Sequence, residues 1–143
     1  MGTVGPLPDG DDFTKGWKIA NDLKVRVVDE HYYTSPEWFI SNQHRYDKYV
    51  RNTTQVYLGE YASWGNKLRN AIAEAAFMTS LERNGDVLQI TSYAPLLAIK
   101  NFIQWNPDII YFDNVNICLI PNYYVQKLFS TNQGNLYFDK VIF

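Results

Sequence analysis

A repeated switch in hydrophobic period constrains this chain more than any other feature. Val25-Arg26-Val27-Val28, Gln55-Val56-Tyr57-Leu58 and Val87-Leu88-Gln89-Ile90 are short, rich in β-branched or aromatic residues and bounded by polar or turn residues, which predicts three strands. Each lies beside a stretch with helical spacing. Phe13 to Leu23 sets Trp17, Ala20 and Leu23 on one face. Ser35-Pro36 offers an N-cap with proline at the first helical position and opens a helix to about Val50, with Phe39, Gln43, Tyr46 and Val50 on one stripe. Between Lys67 and Arg83, the spacing turns Ala71, Ala75 and Met78 inward and Lys67, Asn70 and Glu74 outward, and Asn84-Gly85 supplies a left-handed stop. Helix and strand alternate three times at lengths suited to crossover connections, so the expected class is α/β with parallel strands.

The ends are less regular. Thr3-Val4-Gly5 reads as the tail of a strand, and Gly5 to Gly10 as a loop. Beyond Ala98 the pattern weakens into Trp105-Asn106-Pro107-Asp108, an apolar run Ile109-Ile110-Tyr111-Phe112 and a helix opening at Pro121-Asn122; Lys140 to Phe143 reads as a strand just beginning. Both ends therefore look cut. With 143 residues the expectation is a single domain over 1–143. The charge count, 13 Lys+Arg against 15 Asp+Glu, shows no electrostatic footprint for nucleic acid or an anionic membrane. The longest apolar runs are far too short to cross a bilayer, and the absence of a targeting pattern leaves localisation open. Cys118, the single cysteine, sits between Ile117 and Leu119 and reads as a small buried hydrophobe.

Chemistry-bearing residues cluster where the three strands end: Asp29-Glu30-His31-Tyr32-Tyr33, Gly59-Glu60-Tyr61-Ala62-Ser63-Trp64 and Ser92-Tyr93-Ala94-Pro95. Parallel α/β folds bring side chains together on a ligand at the carboxyl ends of their strands. Glu60 places a carboxylate at the mouth of an apolar strand, where it is either a reacting group or a helix-capping or arginine-paired structural one. His31 and Tyr33 can orient or hydrogen-bond such a carboxylate, and a His-Tyr-Tyr run at a strand end also simply packs well. Trp17 and Trp38 fall inside helices and read as core. Trp64 and Trp105 fall in loops near strand ends and are the candidates for stacking on sugar rings. Metal binding is poorly supported, since His31 and His44 are the only histidines and the carboxylates are scattered, with His44 on an exposed helix face. Neither phosphate-loop pattern fits Gly59 and Gly65, so no cofactor is expected.

In order, Gly5-Pro6-Leu7-Pro8-Asp9-Gly10, Val28-Asp29-Glu30-His31-Tyr32-Tyr33, Leu58-Gly59-Glu60-Tyr61-Ala62-Ser63, Leu81-Glu82-Arg83-Asn84, Ser92-Tyr93-Ala94-Pro95-Leu96, Trp105-Asn106-Pro107-Asp108 and Tyr111-Phe112-Asp113-Asn114 strongly resemble the family-51 glycoside hydrolases, the α-L-arabinofuranosidases. The resemblance covers nearly the whole chain. It implies part of a (β/α)8 TIM barrel, from about the end of strand 5 to strand 8, with residues 135–143 beginning a β-sandwich. It also implies a retaining mechanism, in which one carboxyl group attacks the anomeric carbon and a second acts as acid and then base. Glu60 matches the family's nucleophile, Tyr33 the tyrosine that hydrogen-bonds it, and Trp64 an active-site aromatic. His31 falls in the same cluster as Tyr33, and Trp105 and Asn106 near the segment that completes the sugar pocket.

The family's acid/base is the Glu of an Asn-Glu pair, and no Asn-Glu occurs in this sequence; it is expected before Met1. The chain thus reads as the nucleophile-bearing part of an enzyme acting on arabinan or arabinoxylan. Another retaining glycosidase of the same clan and a non-catalytic carbohydrate-binding or structural remnant of a barrel remain open. Strands cut from a barrel expose edges and an apolar face, so the isolated chain is expected to form a homodimer without arabinofuranosidase activity. Turnover by the chain alone would point to another carboxylate, such as Glu30, as the acid.

Overall fold

Four parallel strands in the order β1-β2-β3-β4 form the main sheet of the computed structural model, which describes residues 1–138. In chain order the elements are β1 (Gly2–Thr3), α1 (Asp11–Asp22), β2 (Val27–Thr34), α2 (Pro36–Ser41), a 3-10 turn (Tyr46–Lys48), β3 (Gln55–Ser63), α3 (Leu68–Arg83) and β4 (Leu88–Thr91). A small second sheet follows, with β5 (Leu97–Ile99) parallel to β6 (Ile110–Phe112) and β6 antiparallel to β7 (Ile117–Leu119), and α4 (Pro121–Thr131) comes last. The alternation read from the sequence is present, and the main sheet is parallel throughout. The antiparallel β6–β7 pair departs from that pattern.

Period-two alternation divides β2 between two layers. Val28, Glu30 and Tyr32 are buried, while Asp29, His31 and Tyr33 stand half-buried on the other face. From β3, Val56, Leu58 and Tyr61 join Tyr32 in an aromatic core built with Phe39, Tyr46 and Phe77. The β2–β3 ladder pairs Glu30 with Leu58 and His31 with Glu60, so Gly59 is an extra residue on β3. A regular count would turn Glu60 to the side of Val56 and Leu58; the bulge returns it to the side of His31 and Tyr33. A Cβ at 59 would run into Asp29 Oδ1, so a larger residue there would displace the Asp29 carboxylate.

Within the core lies one fully buried carboxylate with four donors. Glu30 Oε1 accepts from Trp17 Nε1 and the Tyr49 hydroxyl, each at 2.8 Å. Oε2 accepts from the Tyr46 hydroxyl at 2.9 Å and from the Tyr32 hydroxyl. Burial pushes the Tyr32 and Tyr46 phenols well above their ordinary value, so they remain donors. Arg45 donates to the Tyr32 hydroxyl and to the Pro8 carbonyl, tying the N-terminal loop to the same hub. Glu30 therefore faces away from Glu60 and is not placed to act as an acid beside it.

Other expectations fail for local reasons. The Asp29–Tyr33 and Gly59–Ser63 stretches do not follow strands but are their second halves, since β2 reaches Thr34 and β3 reaches Ser63. Ser35 does cap α2, accepting from Trp38 N at 3.3 Å, but the helix stops at Ser41 rather than near Val50, where both amides of Asn42 fold back onto the Trp38 carbonyl. Leu23 lies just past the end of α1 and Val50 well past the end of α2, and both are exposed. No left-handed stop closes α3: Asn84 has φ −110°, and its side chain bonds back to the Ser80 carbonyl at 2.9 Å. Cys118 is exposed on β7, not buried. Residues 135–138 lack regular structure, and the strand expected at Lys140 to Phe143 lies outside the described residues.

Asn70 and Glu74, expected on the solvent face of α3, are both buried. Glu74 Oε1 accepts from Ser63 N at 2.7 Å, with Asn122 of α4 beside it, and burial pushes its carboxyl up to about 8.

Two stability measurements follow from these buried carboxyl groups. Glu30→Ala strands two buried donors, Tyr32 and Tyr46, and two half-buried ones, Trp17 and Tyr49, and should cost at least about 3 kcal/mol of stability in urea unfolding, where an unchanged midpoint would contradict the hub. Glu74 keeps its proton to about 8 in the folded chain, whereas the unfolded chain releases it near the ordinary glutamate value of 4.5. The folded state binds more protons across that interval, so this contribution makes stability fall as pH rises through it, by a few kcal/mol in order of magnitude. Glu74→Gln should remove that part of the slope when unfolding is followed at a series of pH values.

Candidate active site

The second half of β3 delivers Glu60 into a cleft of about 710 Å³ bordered by the loops that follow β1 and β4. Pro6 and Leu7 form one wall, Ala94 and Pro95 another, and Trp64, Trp105 and Asn106 complete it around Tyr33 and Glu60. Five of the six residues singled out in the sequence thus share one cavity. His31, the sixth, is absent from its lining but lies against Glu60. The carboxylate side chain is 42% exposed, so it can reach a ligand.

Tyr33 donates its hydroxyl to Glu60 Oε2 at 2.6 Å. Burial, then the hydrogen bond to Glu60, raises the Tyr33 phenol well above its ordinary value, which keeps it a donor. His31 Nδ1 stands 3.7 Å from the same Oε2, and His31 Nε2 lies 3.1 Å from Asp29 Oδ2. From β4's side, Ser92 Oγ donates to the Gly59 carbonyl at 2.6 Å and contacts the Tyr57 hydroxyl at 2.7 Å, holding the bulge from behind. Among the described residues no three His, Cys, Asp or Glu side chains converge as a metal ion would need.

Trp64 and Trp105 present apolar rings at 58% and 69% exposure, a stacking surface for a sugar. Trp64 is set by two residues that sequence reasoning placed in solvent. Asn70 Nδ2 donates to Ser63 Oγ and to the Trp64 carbonyl, both at 2.8 Å, and Glu74 holds Ser63 N. Gly65 then turns with φ +124°, a conformation that favours glycine, directly against the Asn70 side chain. One signal for Asn70 was available: it is the third residue of α3, where a side chain folds back onto the amide at the helix start, here Lys67 N at 3.2 Å. Glu74 had none, because a polar residue at helical spacing reads as solvent-facing.

The family model of the α-L-arabinofuranosidase C-terminal domain matches residues 59–141. An extracellular exo-α-L-arabinofuranosidase from Streptomyces chartreusis is 51% identical over 131 residues, 92% of this chain and 16% of that protein. α-L-Arabinofuranosidase 1 of Arabidopsis thaliana is 37% identical over 118 residues, 79% of this chain and 17% of the relative. Among solved structures, an arabinose-bound family-51 α-L-arabinofuranosidase superposes with a TM-score of 0.76 at 36% identity, covering 78% of this chain and 21% of the other. The chain thus spans less than a fifth of the length of these curated relatives. By the family-model match and these likenesses, the chain belongs to the family-51 α-L-arabinofuranosidases.

Proposed function

We propose that the chain is the nucleophile-bearing part of a retaining α-L-arabinofuranosidase that removes terminal α-L-arabinofuranosyl residues from arabinan or arabinoxylan. One observation carries this reading: a hydrogen-bonded but accessible carboxylate, Glu60, opens into a cleft walled by two exposed tryptophans. Glu60 is the attacking group. Tyr33 engages Oε2, leaving Oε1 to form the bond to the anomeric carbon while the leaving oxygen takes a proton from a second carboxyl group. Among the described residues, no other carboxylate lines the cleft, and Glu30 is sealed on the opposite face of β2. On the family resemblance, which puts the acid in an Asn-Glu pair that this sequence does not contain, the acid is assigned to a part of the parent enzyme outside this chain. The arabinose-bound relative supports an arabinosyl ligand, with Trp64, Trp105 and Asn106 as its contacts and His31 as a support for Glu60. On the same reading the four-stranded sheet is a sector of a (β/α)8 barrel.

In the parent enzyme, Glu60→Ala should lower turnover by orders of magnitude with folding intact, and added azide should partly restore it by attacking in place of the carboxylate. Near-normal turnover by that variant would remove Glu60 as nucleophile. Tyr33→Phe deletes one hydrogen bond and should raise the barrier by about 0.5–3 kcal/mol.

We also propose that the isolated chain dimerises. β1 and β4 are the edges of its sheet, and Leu97, Ile99 and Ile117 are exposed on the smaller one. Light scattering at micromolar concentration should show twice the chain mass, and a strictly monomeric species would contradict the proposal.

A further inference from the structure

We propose that Asp29 is a positioning residue: it fixes His31 as the tautomer protonated on Nε2, so that a lone pair on Nδ1, and not an N–H, faces Glu60. The catalytic consequence rests on the reading of Glu60 as nucleophile; the tautomer itself does not. An ionised carboxylate can only accept, so the 3.1 Å contact between Asp29 Oδ2 and His31 Nε2 puts the proton on Nε2. A neutral imidazole carries one N–H, which leaves Nδ1 unprotonated at 3.7 Å from Glu60 Oε2, beyond hydrogen-bond length. Glu60 Oε2 therefore has one donor on this side, the Tyr33 hydroxyl at 2.6 Å. With the other tautomer, an Nδ1–H would face that oxygen as a second donor beside Tyr33 and stabilise the charge that the attacking carboxylate has to give up.

The bulge explains why Asp29 is aimed at the ring. Its side chain lies over Gly59, where the missing Cβ leaves room for Oδ1, and Oδ1 has no hydrogen-bond partner among the described residues. That seat leaves Oδ2 directed along β2 toward His31, two residues on and on the same face. Asp29 thus acts on Glu60 through the imidazole.

Nitrogen-15 NMR of the imidazole rings tests this on the 143-residue chain. There are only two histidines, so His44→Gln assigns the signals. Once raising the pH brings the spectrum to a neutral ring, His31 should show a protonated Nε2 and a bare Nδ1. Asp29→Leu keeps the shape over Gly59 but removes the acceptor, and should shift His31 toward the Nδ1–H form; Asp29→Asn, which retains an acceptor oxygen, should keep Nε2–H. A wild-type ring protonated on Nδ1, or an Asp29→Leu spectrum identical to wild type, would overturn the proposal. In the parent enzyme Asp29→Leu should lower kcat by up to about 100-fold, the scale of a small misplacement of a reacting group, with little change in KM. An unchanged kcat beside a shifted tautomer would overturn the positioning role. Full activity of Glu60→Ala, by contrast, would remove the nucleophile reading and leave the tautomer result standing.

Discussion

The carboxylate of Glu30 is the constraint on which the rest of the molecule depends. A charge inside an aromatic core is tolerated only when its lone pairs are engaged, and here the donors come from α1, β2 and the 3-10 segment, with Arg45 extending the network to Pro8. Elements far apart in the chain must therefore be in place together. The same demand fixes which way β2 faces. Glu30 can point only toward its donors, so alternation directs Asp29, His31 and Tyr33 to the cleft side. The polar hub and the reactive face are two consequences of one register.

The order of elements was legible because strands with β-branched residues and helices with spaced apolar residues differ in period, and that difference survives without any tertiary information. Strand ends were not. The second halves of β2 and β3 exchange Val and Leu for Glu, His and Tyr, and a strand that presents chemistry on one face no longer looks hydrophobic enough to be counted as strand. Capping chemistry was read correctly at Ser35, where the side chain acts within its own turn. It was missed at Asn42, inside a stretch read as one long helix, and misread at Asn84; both side-chain amides fold back onto carbonyls one turn earlier.

Legibility in the cleft followed a similar line. Glu60, Tyr33, Trp64, Trp105 and Asn106 lie in short runs distinctive enough to be noticed, and the structure gathers them in one cavity. Asn70 and Glu74 stayed hidden because their partners, Ser63 and Trp64, belong to another element. A helical wheel assigns polar residues to water; only the packing of α3 on the end of β3 turns them inward. The sequence shows which groups can meet a ligand more readily than which groups hold them still.

The bulge in β3 has one more consequence. Ladder defects can migrate when neighbouring residues are interchangeable, since sliding the extra residue by one place breaks and remakes equivalent backbone bonds. At Gly59 the neighbours are not interchangeable. Moved to position 58 or 60, the defect would put a leucine or glutamate side chain where the Asp29 carboxylate now lies over Gly59, displacing it, and would release the carbonyl that Ser92 holds. Those contacts favour the bulge where it is, and with it the heading of Glu60 toward the cleft.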